Sequence, residues 1–249
     1  LVAAKGFGGG GGEGSRDSLA PAWAPDGKSL IIVATTDRDK SAYSSVSTDL
    51  YQVSVSGGEP RKLTSGTTSY SSPQFAPDGR TLCFDESNDS GKIYALDGIG
   101  CAAWPSTDLT ARTKELTAGF DRSVSEFAFT PDSSTIYLTA EDNGLVKLYS
   151  VPVAGGRVSE PIGPAAGVYS GLVIPEKASS PILIANWGTA VNPTEVVRID
   201  PAAKTHRLLT EFDVADAAKI DWAPLRHFTF KGSSGRTIHS MIALPPGFD

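Results

Sequence analysis

"FAPDGRTL", Phe75 to Leu82, aligns without gaps with "WAPDGKSL", Trp23 to Leu30, and with "FTPDSSTI", Phe129 to Ile136. The prolines Pro25, Pro77 and Pro131 stand 52 and 54 residues apart. Proline presets φ at the first central position of a turn, aspartate can bond its own backbone, and glycine accepts a positive φ. Ala-Pro-Asp-Gly therefore reads as a tight turn. The aromatic residue before it and the runs after it, "SLIIVAT", "TLCFDE" and "TIYLTAE", are rich in β-formers, so the turn joins two strands.

A second theme follows each turn and appears once more near the end: "DLYQVSVSGGEPRKLT" (49 to 64), "KIYALDG" (92 to 98) with "RTKELT" (112 to 117), "KLYSVPVAGGRVSEPIG" (147 to 163) and "EVVRIDPAAKTHRLLT" (195 to 210). It alternates in period two, meets Gly57-Gly58 or Gly155-Gly156, and closes in a short strand ending in Leu-Thr. Each unit of about fifty residues is thus four short antiparallel strands, and four units are visible, the last without its Pro-Asp turn. Such units bury their faces only against their neighbours, which is the pattern of a β-propeller. The expected fold is an all-β propeller with blades near 18–66, 67–119, 120–164 and 165–218. An open arc of a larger propeller, with further blades upstream of Leu1, is expected ahead of a closed four-bladed ring. Residues 1–17 read as a glycine-rich loop or the end of a preceding blade.

The 249 residues carry 40% hydrophobic side chains, ample for a buried core. With 22 Lys and Arg against 28 Asp and Glu the net charge is −6, and no basic stripe is available for nucleic acid or anionic lipid. No run approaches the roughly 20 apolar residues of a membrane-spanning helix. Cys83 and Cys101 lie in one unit with no Cys-x-x-Cys or Cys/His pattern, which argues against a metal site. A disulfide is open to them if Cys101 sits on a loop folded back over Cys83; two buried free thiols are the equal alternative.

Candidate sites are few. Gly9, Gly11 and Gly14 satisfy G-x-G-x-x-G within the run Gly8 to Gly12, but no βαβ unit follows and no Lys-Ser/Thr closes a phosphate loop, so a plain loop and no nucleotide cofactor are expected. Asp26, Asp78 and Asp132 repeat as turn geometry alone requires, rather than as calcium ligands. Acids cluster after the second strand of each unit: Asp37 and Asp39, then Asp85, Glu86 and Asp89, then Glu141 and Asp142. Read as loops, they share the face opposite the Pro-Asp turns. That face is either a solvated surface or an attractor for a cationic group such as a peptide α-ammonium. His206, His227 and His239 are the only histidines, and G-x-S-x-G is absent, so no catalytic residue is assigned. Asn88-Asp89-Ser90 matches a glycosylation sequon.

The repeated "PAWAPDG", "PQFAPDG" and "GGEPRKLT" resemble blades of the prolyl oligopeptidase family of serine peptidases, nearest the dipeptidyl-peptidase V and acylaminoacyl-peptidase group, and equally TolB-type propellers. The tail separates the two. Phe228-x-Phe230, Gly235, Ile238, Ile242 and "LPPGFD" at 244 to 249 resemble the passage where such a peptidase leaves its propeller and lays down the first strands of an α/β-hydrolase domain. Residues 219–249 are accordingly expected to be a linker and that domain's first hairpin, with "GSSG" at 232 to 235 as its turn. The resemblance implies a parent enzyme that removes dipeptides or acylated residues from peptide N-termini. Its nucleophilic Ser, Asp and His would come after Asp249, and this chain alone would be inactive. Expected partners are short peptides, the remaining blades and the catalytic domain, or copies of the chain itself; Asp85, Glu86, Glu141 and Asp142 are the candidate peptide-attracting acids. A periplasmic or secreted location fits such an enzyme. The alternative is a TolB-like module that binds a protein and catalyses nothing.

Overall fold

The structure, a computed structural model, describes residues 21–88, 95–163, 166–245 and 247–248. The glycine run Gly8 to Gly12, the rest of residues 1–17, Asp89 with its sequon, and the ends of "LPPGFD" at Pro246 and Asp249 lie outside the described residues. The regular secondary structure described is nearly all strand; the one α-helix, α1 (Val214–Ala217), is a single turn.

The first meander is β1 (Ala22–Trp23), β2 (Ser29–Ala34), β3 (Asp49–Ser54) and β4 (Arg61–Lys62), and the second is β5 (Thr68–Phe75), β6 (Thr81–Asn88), β7 (Asp97–Ala103) and β8 (Lys114–Glu115); each forms a four-stranded antiparallel sheet in chain order. The third has β9 (Val124–Phe129), β10 (Thr135–Asp142) and β11 (Leu145–Pro152). The fourth has β12 (Val168–Val173), β13 (Leu183–Gly188), β14 (Glu195–Asp200) and β15 (Thr205–Leu208). A final hairpin pairs β16 (Arg226–Lys231) with β17 (Thr237–Ile242).

Two details depart from the sequence reading. The third strand of the second meander is Asp97–Ala103, further along than "KIYALDG"; its two glycines, Gly98 and Gly100, disguise it, because glycine is depleted in strands. The fourth strand of the third meander shrinks to one bridge, Leu148 with Ile162. Two residues along, Val146 pairs in parallel with Val168, so the third and fourth meanders join in one seven-stranded sheet.

The Pro-Asp turns are built alike. The amide of Gly27 donates to Ala24 O, that of Gly79 to Ala76 O and that of Ser133 to Thr130 O, at 2.8–2.9 Å. In each, the aspartate carboxylate accepts the amide two residues on: Asp26 from Lys28, Asp78 from Arg80, Asp132 from Ser134. The corner residue is left-handed each time, with φ +66° at Gly27, +70° at Gly79 and +60° at Ser133.

By contact the chain forms two compact units. One runs up to Val124 with Phe129–Ile136 and Val151–Val158; the other holds Ser125–Ala128, Tyr137–Ser150 and the residues from Ser159 onward. In the first, Ile31, Val33, Leu50 and Leu63 pack against Tyr70, Leu82 and Phe84, so the first two meanders cover each other's faces. In the second, Ala128, Leu148 and Ile162 pack against Tyr169, Leu183, Val197 and Ile199. A bulge in β12 between Ser170 and Val173 frees the amides of Gly171 and Leu172, and the Glu126 carboxylate accepts both, at 3.0 and 2.8 Å. Cys83 and Cys101 face each other across β6 and β7, Cα atoms 4.1 Å apart, and are disulfide-bonded; Cys101 belongs to a strand and not to a loop folded over its partner.

The recurring Leu-Thr has a structural task. The hydroxyl of Thr64 accepts the amide of Leu50, that of Thr117 the amide of Ile99, and that of Thr210 the amide of Val196, at 2.9–3.0 Å. Each pins the fourth strand's end to the start of the third. Thr64→Val keeps the shape but leaves the fully buried Leu50 amide without its acceptor. Loss of about 1–3 kcal/mol is expected, read as a lower urea midpoint with an unchanged slope, while Thr64→Ser stays closer to wild type.

Candidate functional site

The four predicted acids lie in long strands rather than in loops, Asp85 and Glu86 within β6 and Glu141 and Asp142 at the end of β10, because each of these strands runs on for eight residues. Asp85 and Glu86 are neighbours on β6 in one compact unit; Glu141 and Asp142 are neighbours on β10 in the other. Asp85 stands against the bulge of β5 between Ser71 and Gln74, where the hydroxyls of Ser72 and Ser71 bond its carboxylate while Oδ1 has no partner. Burial outweighs these bonds and pushes its carboxyl up to about 6. Glu86 folds over Gly100, where a Cβ would collide with its carboxyl group. Burial first, and the Glu115 carboxylate second, push Glu86 up to about 7.

Glu141 is exposed, whereas Asp142 is buried and ion-paired with Lys147 Nζ at 2.7 Å. Asn143 and Gly144 follow as a left-handed pair, φ +55° and +77°, the geometry of a two-residue hairpin turn. The Asn-Gly pair is the sequence signal that sets Asp142 at the end of a strand. Asp37 pairs with Lys40 at 2.8 Å within a short 3-10 turn, Arg38–Lys40, which also holds Asp39. Among the described residues no cluster of three or more His, Cys, Asp or Glu side chains is arranged to hold a metal ion.

The second unit holds two cavities that flank the loop 189–194. One, about 540 Å³, is lined by Leu145, Val168, Trp187, Leu225, His227 and Met241 among others. The other, about 430 Å³, is lined by Trp187, Leu208, Val214, Ile220 and Trp222 beside Glu195. His227 and Met241 come from the terminal hairpin, whose Met241 side chain sits on Gly144.

That hairpin is amphipathic. His227, Thr229, Lys231, Thr237, His239 and Met241 share one face. The other carries Phe228, Phe230, Ile238 and Ile242, exposed by 47, 50, 40 and 43%. Two isolated strands do not hold an apolar face in water unaided. The turn between them is closed by Gly232 and Arg236, with Gly235 at φ +74°.

Successive antiparallel meanders, the first two packed face to face, define the chain as propeller-type. No family model matches it. A curated relative, the "uncharacterized peptidase YuxL" of Bacillus subtilis (strain 168), is 33% identical over 79 residues, 32% of this chain and 11% of that protein. Among solved structures, an acylaminoacyl peptidase from Pyrococcus horikoshii matches with a TM-score of 0.61 at 20% identity, over 88% of this chain and 31% of that one. TolB from Acinetobacter baumannii matches with a TM-score of 0.53 at 17% identity, over 90% of this chain and 51% of that one. In fold, the chain resembles the propeller regions of prolyl oligopeptidase-family peptidases and of TolB, and in sequence a peptidase over 79 residues; it spans less than a third of the peptidases' length.

The carboxyls of Asp85 and Glu86 titrate above their ordinary range in the folded chain, so there the folded state binds more protons than the unfolded one. Their contribution to stability should fall as pH rises from about 4 and level off above about 7. Glu86→Gln is expected to flatten the upper part of that decline, as read from melting temperatures at half-unit pH steps.

Proposed function

We propose that this chain is the substrate-gating propeller portion of a serine exopeptidase that releases dipeptides or acylated residues from peptide N-termini, its catalytic Ser, Asp and His belonging to a hydrolase domain that follows β17. The observation that carries this reading is the terminal hairpin. Its apolar face, Phe228, Phe230, Ile238 and Ile242, is uncovered, and it leads into "LPPGFD" where such peptidases begin their hydrolase strands. A following domain would cover that face. The propeller's part in the chemistry is then exclusion and positioning: it keeps folded proteins away and holds a short chain at the nucleophile.

Within this reading, Asp85, Glu86, Glu141 and Asp142 would attract the peptide's ammonium group. Glu141 is the best suited, being exposed. Glu86 is only half-ionised near pH 7, Asp85 near pH 6, and Asp142 is already engaged by Lys147. In the parent enzyme, Glu141→Gln should lower kcat/KM for free dipeptide substrates more than for N-acetylated ones.

A TolB-like protein-binding module is the second reading, favoured by the TolB match over 90% of the chain. Assay of the full-length parent on chromogenic dipeptide and acyl-peptide substrates separates the two. Turnover by the parent and none by residues 1–249 is expected. Hydrolysis by residues 1–249 alone, or an inert parent, would overturn the peptidase reading. Phe228→Ser with Phe230→Ser should abolish parent activity yet leave the melting temperature of residues 1–249 within a degree or two, at the roughly ±0.5 kcal/mol scale of uncovered surface changes.

A further inference from the structure

The repeats supply an internal comparison at one position. In the first meander Asp49 opens β3, accepts the Thr64 hydroxyl at 2.9 Å, and pairs with Lys62 Nζ at 2.7 Å. In the fourth, Glu195 opens β14 in the same place and accepts the Thr210 hydroxyl. Aligning "RKLT" (61 to 64) with "RLLT" (207 to 210) puts Leu208 where Lys62 stood. Glu195 is 3% exposed and, among the described residues, no lysine or arginine pairs with it. The Thr210 hydroxyl, and then the Asp213 amide at 3.1 Å, hold its carboxyl below the usual range, so it stays ionised.

What replaces the missing cation is a space. Leu208 lines the cavity of about 430 Å³, with Trp187, Trp222, Val214 and Ile220, and Glu195 is part of the same wall. Both indole N–H groups are committed to backbone carbonyls, Trp187 to Ala166 at 3.2 Å and Trp222 to Ala217 at 2.8 Å. The two indoles therefore offer the cavity no free N–H donor to compete for the carboxylate. An ionised carboxylate without a counter-ion, beside two tryptophans and aliphatic side chains, suits a positive charge attached to an apolar body.

We propose that this cavity binds an apolar organic cation, a protonated amine or quaternary ammonium on an aromatic or alkyl body, with Glu195 supplying the counter-charge and Trp187 and Trp222 the aromatic walls. The carboxylate retains acceptor capacity, since its two oxygens offer about four lone-pair sites. The proposal does not rest on the peptidase reading.

The test titrates 2-phenylethylammonium and its neutral counterpart 2-phenylethanol into residues 1–249 at pH 7.5, followed by calorimetry and ligand-observed NMR. The ammonium should bind about tenfold more tightly than the alcohol, the scale of a partly desolvated cation–aromatic contact. Glu195→Gln, which keeps an acceptor for Thr210, should erase that preference while leaving the alcohol unchanged. Trp222→Ala, at a 40% exposed side chain, should weaken the ammonium several-fold without unfolding the chain, even if the Glu195 variant fails to fold. Equal affinity for ammonium and alcohol, no binding of either at 20 mM (about the weakest affinity such a contact supports), or indifference to Trp222→Ala would each overturn the proposal.

Discussion

The ring of Pro25 lies where a β-carbon on Gly79 would have to go, 2.8 Å from its position, and the amide of Asp78 reaches the hydroxyl of Ser133 at 3.0 Å. Three successive Pro-Asp turns are thereby joined, corner to corner, within one compact unit. The rest of the unit depends on this, because a four-stranded sheet has an apolar face that only the next meander can cover. Glycine at the second corner meets two demands at once: a left-handed backbone and a missing side chain. Ser133 at the third corner meets the first demand and turns its hydroxyl to the contact.

On this repeated backbone, individuality comes from substitution at equivalent places. The pairing of a third-strand acid with a fourth-strand cation, Asp49 with Lys62, has no counterpart in the second meander, where an acid, Glu115, takes the cation's place and Gly98 the acid's. There a Cβ at position 98 would meet Thr117 Oγ1 at 2.8 Å and Glu115 Oε1 at 3.4 Å, so glycine accommodates the change. In the third, Lys147 replaces the acid, Gly163 replaces the threonine, and the lysine turns back to Asp142. The threonine clamp and the charges around it thus vary separately: the second meander keeps the threonine without the ion pair, and the fourth keeps threonine and acid without the cation.

The propeller-type fold was legible because its signals are local: a Pro-Asp corner, a Gly-Gly bend and a Leu-Thr strand end each act within a few residues. What escaped was decided by pairing across strands. Nothing near Cys101 announces that it faces Cys83, since that requires the register of β6 on β7. The strand Asp97–Ala103 was hidden by its glycines, which are there to admit the Glu86 and Glu115 side chains. The acids at 85, 86, 141 and 142 belong to long strands, which a polar composition typical of loops conceals. For the cavity beside Glu195 the signal was one letter, leucine for lysine in "RLLT", and it acquires meaning only once Thr210 is seen to fix the alignment.

The bond between Cys83 and Cys101 closes a segment of 18 residues between two adjacent strands. A one-residue slip would turn every side chain of β7 to the opposite face, and the covalent link forbids it. An oxidised chain emerging from denaturant thus starts its register search with β6 and β7 already matched, while a reduced chain must find that match by diffusion. The cross-link is a kinetic memory: it carries the pairing of the second meander through unfolding and returns it as a template on which β5 and β8 can add.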